Sequence, residues 1–434
     1  MKFAKMFGDA AQLKRRTAIL GGFIVLDAIN KGVMLVVGIA LARCMIKEEY
    51  AWYTIANSMM GGMAMLSTLG VSMALLSIGG QHIGDKARMG SLVATCMRYR
   101  ILFASISAPL VLAGMVFMLH RTGASAIYIA VLVVLLMASL AVQLNQDIAA
   151  TVLRVAGRYN YVPKVDAALA IVRLLLIGCL IWAAVVATWS VVALTVLLQA
   201  LAYFAFMRGA SQAYYSKRAP ADAEDGKRIR RITYNTLPET VKAFVMPQLS
   251  VFLLATFAST SSVADIGALS RIGLLYVVPV GLFGALLHPW LARASHETLL
   301  PRYAAVVAFG TGLGALLFAG VWFASPLLLW LLGPAYQGLE SELLILCGAK
   351  SIDLALASVL SLLNARGFVS YIWLIPLTTT IATFGSMPFF DLSSLSQVLW
   401  LEYVRFGPMF MCCLFLIGRA IVRLNRLEHQ AGVN

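Results

Sequence analysis

Apolar stretches of twenty or so residues recur from one end of the chain to the other, each closed off by charged or turn-forming residues. A bilayer core takes about 20 apolar residues per helical crossing. In hydrocarbon the backbone must also satisfy its own hydrogen bonds, which a helix does internally. The runs place helices near 17–42, 51–79, 101–119, 125–147, 165–186 and 189–207. After a polar connector they resume near 236–259, 264–289, 301–323, 342–364, 369–390 and 397–418. The stretch 324–341, with Trp330 and Pro334, reads as an interfacial connection. The expected fold is an all-α polytopic membrane protein of about twelve transmembrane helices in two six-helix lobes, 1–207 and 236–420. A basic connector, 208–235, joins the lobes and a tail, 421–434, follows them. With 61% of 434 residues hydrophobic and 12% charged, no length remains for a soluble domain.

The formal charge of +15 points to nucleic acid only where basic residues share one water-facing surface. Here they are strung between apolar runs. Twelve spans with a cytoplasmic N-terminus leave about 25 of the 34 Lys and Arg in cytoplasmic segments and about three in outward loops. That bias sets the orientation and puts both termini in the cytoplasm. Lys2, Lys5, Lys14, Arg15 and Arg16 precede the first apolar run, which lacks a small-residue cleavage site and reads as an uncleaved helix. Six scattered cysteines have neither metal-site nor disulfide spacing and read as packing residues.

Each half opens alike. Arg15 and Arg16 precede a helix carrying Asp27 and Lys31, and Arg230 and Arg231 precede one carrying Glu239 and Lys242. Duplication of a six-helix unit is expected, with transport sites at the interface of the repeats.

Ionisable residues inside a bilayer usually face water or a partner. Asp27 and Lys31 stand one turn apart, with Asn30 and Gly38 on the same side. Glu239 and Lys242 are similarly spaced between Pro238 and Pro247, which supply bends. Lys350 and Asp353 lie near mid-depth, continued by Ser361 and Asn364. Arg173 follows Asp166 by two turns, Arg271 has Asp265 on its own helix, and Glu402 and Arg405 form one more pair. Each pair taken alone fits an internal salt bridge. Together they favour a hydrated cavity whose cations Lys31, Lys242, Arg271, Lys350 and Arg173 bind an anionic passenger. Asp27, Glu239 and Asp353 are the candidates for coupling to H+ or Na+.

No catalytic, metal or cofactor site is expected. His82, His120, His288, His296 and His429 have no ligand partner at metal spacing. Gly61, Gly62, Gly70, Gly79 and Gly80, like Gly310, Gly312 and Gly314, suit close helix packing rather than phosphate binding.

Three segments carry a family resemblance. Leu66-Ser67-Thr68-Leu69-Gly70-Val71-Ser72-Met73-Ala74-Leu75 resembles the glycine-containing second helix of polysaccharide transporters in the multidrug/oligosaccharidyl-lipid/polysaccharide (MOP) exporter superfamily. Val263 through Ala268, Arg271 and Leu274 to Pro289-Trp290-Leu291-Ala292-Arg293 is similar to the family's eighth helix. Leu332-Gly333-Pro334-Ala335-Tyr336-Gln337 followed by Leu343-Leu344-Ile345-Leu346 is similar to its Gly-Pro-x-Tyr segment before helix ten.

The resemblance, to O-antigen (Wzx-type) flippases in particular, implies two six-helix lobes around a cavity lined by helices 1 and 7 with 2 and 8. Asp27, Lys31, Glu239, Lys242 and Arg271 fall on those helices. It implies turnover of undecaprenyl-diphosphate-linked oligosaccharide by alternating access in a bacterial inner membrane. The implied partners are that glycan, membrane lipid, H+ or Na+ as coupling ion, and polysaccharide polymerase and chain-length proteins. Lipid II flippases of the superfamily have fourteen helices, two more than expected here, which argues against cell-wall precursor as cargo. The alternatives are a multidrug antiporter of the same superfamily and a membrane polysaccharide polymerase or ligase. Six basic residues within the spans would repel organic cations, and the short outward loops leave an enzyme little to hold sugars with.

Overall fold

The structure, a computed structural model, describes residues 10–82, 85–211, 222–283, 287–294, 296–366 and 373–431, all helix and connection with no strand among them. The chain divides into two compact units, Met1–Gln248 and Leu249–Asn434.

Unit 1 contains α1 (Ala10–Cys44), α2 (Lys47–Thr68), α3 (Val71–Gly79), α4 (Lys86–Arg121), α5 (Ala126–Val155), α6 (Tyr161–Trp182) and α7 (Thr188–Ser211). It also holds most of α8 (Ala223–Phe257), whose last turns enter unit 2. Unit 2 continues with α9 (Thr260–Gly273), α10 (Val277–Leu282), α11 (His288–Ala292), α12 (His296–Leu332) and α13 (Glu340–Arg366). It ends with α14 (Leu374–Ser386), α15 (Leu395–Val404) and α16 (Phe406–Ala431). Ten helices among the described residues are long and apolar enough to cross a bilayer, or eleven when the bent pair α2–α3 is counted as one span. The thirteen residues of α14 lie where the eleventh helix is expected, while 367–372 lie outside the described residues. The protein is a multi-pass, all-helical membrane protein.

Several helices outrun the apolar stretches that announced them. α4 starts at Lys86 rather than 101, because the Asp85 side chain caps it by accepting from the Arg88 N–H at 3.0 Å. Its 36 residues rise about 54 Å against a hydrocarbon core of about 30 Å. α8 likewise begins at Ala223 rather than 236. A separate apolar core holds these extensions together, with Val71, Leu75, Met89, Leu92, Ile148, Val152, Phe206 and Ile229 buried around one another. Where helices leave the bilayer, burial of this kind stabilises by about 1.5–3 kcal/mol per large side chain.

Two expected boundaries need correction. The ninth helix does not end at 323; α12 runs through Pro326 to Leu332. Proline denies the Trp322 carbonyl its backbone donor, and the Ser325 hydroxyl donates to that carbonyl instead, at 3.0 Å. The connection expected over 324–341 therefore begins only at Gly333, with Trp330 exposed near the helix end. The eighth helix is not continuous over 264–289, because a 3-10 turn, Leu274–Tyr276, separates α9 from α10. Pro279 removes the donor that the Leu275 carbonyl would receive in an unbroken helix.

The glycines of the second span act as contact points. A Cβ on Gly62 would meet the Phe244 ring at 2.2 Å, and one on Gly70 would meet Thr236 Oγ1 at 2.4 Å, so α2–α3 and α8 approach at both levels. Gly70 also has φ +77° and follows Leu69 at φ +30°, where the span bends by 44°. In unit 2, Gly310 lies over Ser358 and Gly314 over the Ser351 carbonyl, which brings α12 and α13 together. Gly61, Gly80 and Gly312 have open space at the Cβ position and make no such contact.

Candidate functional site

In unit 1 the first expected pair is formed. Lys31 Nζ lies 2.7 Å from Asp27 Oδ2 across one turn of α1. Glu239 and Lys242 pair on α8 at 3.6 Å. Their exposure separates these pairs from internal locks, since Asp27 is 36% exposed and Glu239 55%. An ionised group facing hydrocarbon at mid-depth costs about 3 kcal/mol, so carboxylates this open face water or a ligand.

Arg173, near the middle of α6, donates from Nη2 to Thr195 Oγ1 of α7 at 3.3 Å. It lines a polar cavity of about 170 Å³ together with Asn30, Gln146, Asp166 and Gln199. The two-turn spacing of Asp166 and Arg173 does bring both to one place, and Asn30 of α1 meets them there. Beside the cavity, Gln143 Nε2 donates to Ser139 Oγ at 3.0 Å and Ser139 donates to Gln199 Oε1 at 2.8 Å. The space admits a few waters or a small ion.

Unit 2 gathers two pairs that the spacing kept apart. Lys350 and Asp353 on α13 both reach partners on the last span. Lys350 Nζ lies 3.8 Å from Glu402 Oε2, and Arg405 Nη2 lies 2.7 Å from Asp353 Oδ2 and 3.5 Å from Glu402. Ser250 at the end of α8 donates to Glu402 Oε1 at 3.1 Å. Arg405 stands where the last span breaks between α15 and α16. Pro408 denies the Val404 carbonyl its donor at that point. Arg271 is half-buried on α9, and Gly273, half a turn on, leaves room for the Lys350 side chain. The polar stripe expected beyond Asp353 is not continuous: Ser361 is buried and donates to the Ser358 carbonyl at 2.5 Å. The Asn364 side chain lies outside the described residues.

Three arrangements escaped the sequence reading. Arg100 is fully buried against the α2–α3 bend, donating from Nη2 to Asp147 Oδ2 at 2.8 Å and to Thr68 Oγ1 at 3.0 Å. At 0% exposure it is closed off from solvent and ties α4 to α5 and to the end of α2. Glu49 ties α2 to α5 and α7, accepting from the Tyr128 hydroxyl at 2.5 Å and from the Thr188 N–H at 2.7 Å. Arg88 clamps the start of α8 through Asp222 and through Asp225 Oδ1 at 3.2 Å. Its hydrogen bond, followed by the Glu224 N–H, holds the Asp222 carboxyl below the usual carboxylate range. No spacing rule finds such pairs, because their partners lie on other helices.

The sequence matches no family model and no curated protein. Solved structures do match. The lipid II flippase MurJ in an inward closed conformation superposes with a TM-score of 0.70 at 10% identity, over 92% of this chain and 87% of that one. A MATE in complex with MaD3S gives 0.65 at 16%, over 94% and 96%. A MOP superfamily transporter from Pyrococcus furiosus, described by a binding pocket of reverse polarity suggesting a different function, gives 0.62 at 13%, over 94% and 95%. At these identities the likeness is one of fold, and the fold is that of MATE transporters and MurJ.

Proposed function

We propose that the protein is a flippase that carries an undecaprenyl-diphosphate-linked oligosaccharide, a polysaccharide or O-antigen repeat unit, across a bacterial inner membrane by alternating access. Both termini are placed in the cytoplasm, following the distribution of Lys and Arg. The observation that carries the reading is the accessible cation–carboxylate pairing on membrane-spanning helices, Asp27 with Lys31 and Glu239 with Lys242, on a fold shared with a lipid flippase.

The pairing suggests how binding and coupling meet. A diphosphate offers a stronger, multidentate partner to Lys31, Lys242, Arg173, Arg271 and Lys350 than a single carboxylate does. Cargo displaces Asp27 or Glu239 from its lysine, and the released carboxylate takes up H+ or Na+. Return of the acid to its lysine expels the cargo on the other side. A ligand moves such an equilibrium only by its different affinity for the two states, and exchange of partners supplies that difference. The cation content favours an anionic passenger over the organic cations of a multidrug antiporter.

Deletion of the gene in its native host tests the assignment. Loss of surface polysaccharide with build-up of lipid-linked repeat units on the cytoplasmic face is expected, with rescue by the wild-type gene. Normal surface polysaccharide in a strain without another transporter for it would remove the proposal.

A further inference from the structure

Outside the polar sites of the spans, a second cavity of about 510 Å³ opens between α4 and the start of α8. Thr95, Arg98, Tyr99 and Leu102 line it from α4, and Asp222, Gly226, Lys227 and Arg230 line it from the other side. Its size is that of a small-ligand site.

Its charge is one-sided. Arg98, Lys227 and Arg230 are exposed at its walls, and none of them forms a salt bridge among the described residues. The only acid in the lining is Asp222, whose carboxylate is taken by Arg88 and by the backbone N–H groups of Glu224 and Asp225, at 2.7 and 3.3 Å. The cavity is built rather than incidental. The Asp222 N–H donates to Thr95 Oγ1 at 2.9 Å, Asp225 is buried against Arg88, and Gly226 leaves space for the Tyr99 hydroxyl, 3.3 Å from where a Cβ would stand. From this basic floor an exposed apolar row continues along α4, with Leu102, Ile106 and Leu110 each one turn beyond the last.

We infer that this cavity binds the phosphate headgroup of an anionic membrane phospholipid, with Arg98, Lys227 and Arg230 around the phosphate and the acyl chains along Leu102, Ile106 and Leu110. Basic pockets between transmembrane helices at the membrane surface suit such headgroups. Both helices of the pocket take part in the α2–α3 bend region, α4 through Arg100 and α8 through Thr236, so a bound lipid braces the elements that hold the bend.

The test is native mass spectrometry of the full-length protein released from vesicles of equal phosphatidylglycerol and phosphatidylcholine. Wild type is expected to retain phosphatidylglycerol selectively. The triple variant Arg98→Ala, Lys227→Ala, Arg230→Ala is expected to lose about a hundredfold in that retention, the effect of three surface cations acting together. Arg98→Lys, which keeps the charge, should retain most of it, and the unchanged melting temperature of the triple variant in pure phosphatidylcholine vesicles verifies its folding. Equal retention of both lipids by wild type, or undiminished phosphatidylglycerol on the folded triple variant, overturns the inference. So does saturation of the site by millimolar inorganic phosphate in phosphatidylcholine vesicles, which would make it a site for free phosphate.

Discussion

The Arg405 guanidinium reaches from the break in the last span to the Asp353 carboxylate in α13, Nη2 donating to Oδ2 at 2.7 Å, although 52 residues separate the two in sequence. With Glu402 and Lys350 they form a chain of two cations and two acids near the middle of their spans. Arg405 and Glu402 are 14% and 15% exposed, so removing Arg405 leaves Glu402 charged with little water around it.

Arg405→Ala is therefore expected to destabilise the protein by about 3 kcal/mol, as breaking a largely buried ion pair does, and to abolish transport. Arg405→Lys keeps the charge but not the planar fork, and partial recovery of both is expected. Thermal unfolding in detergent and a complementation assay read the two effects, and a wild-type melting temperature for the alanine variant would contradict the network's role.

Arg100 and Asp147 are expected to behave as a structural lock. Asp147→Asn strands a fully buried guanidinium and should cost about 3 kcal/mol. Adding Arg100→Met to it should restore most of the loss, since two guanidinium nitrogens have no hydrogen-bond partner among the described residues even in the native chain. A double variant less stable than Asp147→Asn alone would show that the arginine stabilises by itself.

Gly70 marks the bend in the second span. Gly70→Ala places a side chain at φ +77° and against Thr236, at an expected cost of about 2 kcal/mol from backbone strain and crowding. Gly61→Ala, with open space around its Cβ, should be neutral or better in the same melting experiment. Equal effects at the two positions would argue against the contact.

Acid should leave the Arg88–Asp222 clamp intact longer than an ordinary surface pair. The folded carboxyl titrates below its unfolded counterpart, so its contribution is fully present above the unfolded value of about 4 and is lost only as pH falls through the lower, folded one. The melting-temperature gap between wild type and Asp222→Asn should therefore hold from pH 7 down to about 4 and close below that. A gap that closes between pH 7 and 5 would contradict the clamp.

What the sequence made legible was what is local. The apolar runs located the spans, and one-turn spacing located Asp27 with Lys31 and Glu239 with Lys242, because neighbours on one helix face need no tertiary information. Hydropathy reads lipid rather than helix, so it missed the start of α4 at Lys86 and of α8 at Ala223, which a capping aspartate and a separate buried apolar core extend. The end of the ninth helix was not legible because the Ser325 hydroxyl supports the Trp322 carbonyl that Pro326 leaves without a donor, nor was the 3-10 turn that divides the eighth. Arg405 with Asp353 and Arg100 with Asp147 stayed hidden because helix packing alone decides which faces meet. The Leu69-Gly70 segment carries part of the family resemblance, and the bend it makes against Thr236 explains why glycine stands there.

Reconstitution of the purified protein into vesicles carrying a fluorescent polyprenyl-diphosphate oligosaccharide measures the central proposal most directly. Bilayer crossing of that anionic lipid, slowed at least tenfold in Lys31→Ala and Lys242→Ala (about 1.4 kcal/mol of lost stabilisation for each), is the predicted result. Protein that leaves the oligosaccharide lipid in its original leaflet while exchanging a cationic dye for protons would contradict it.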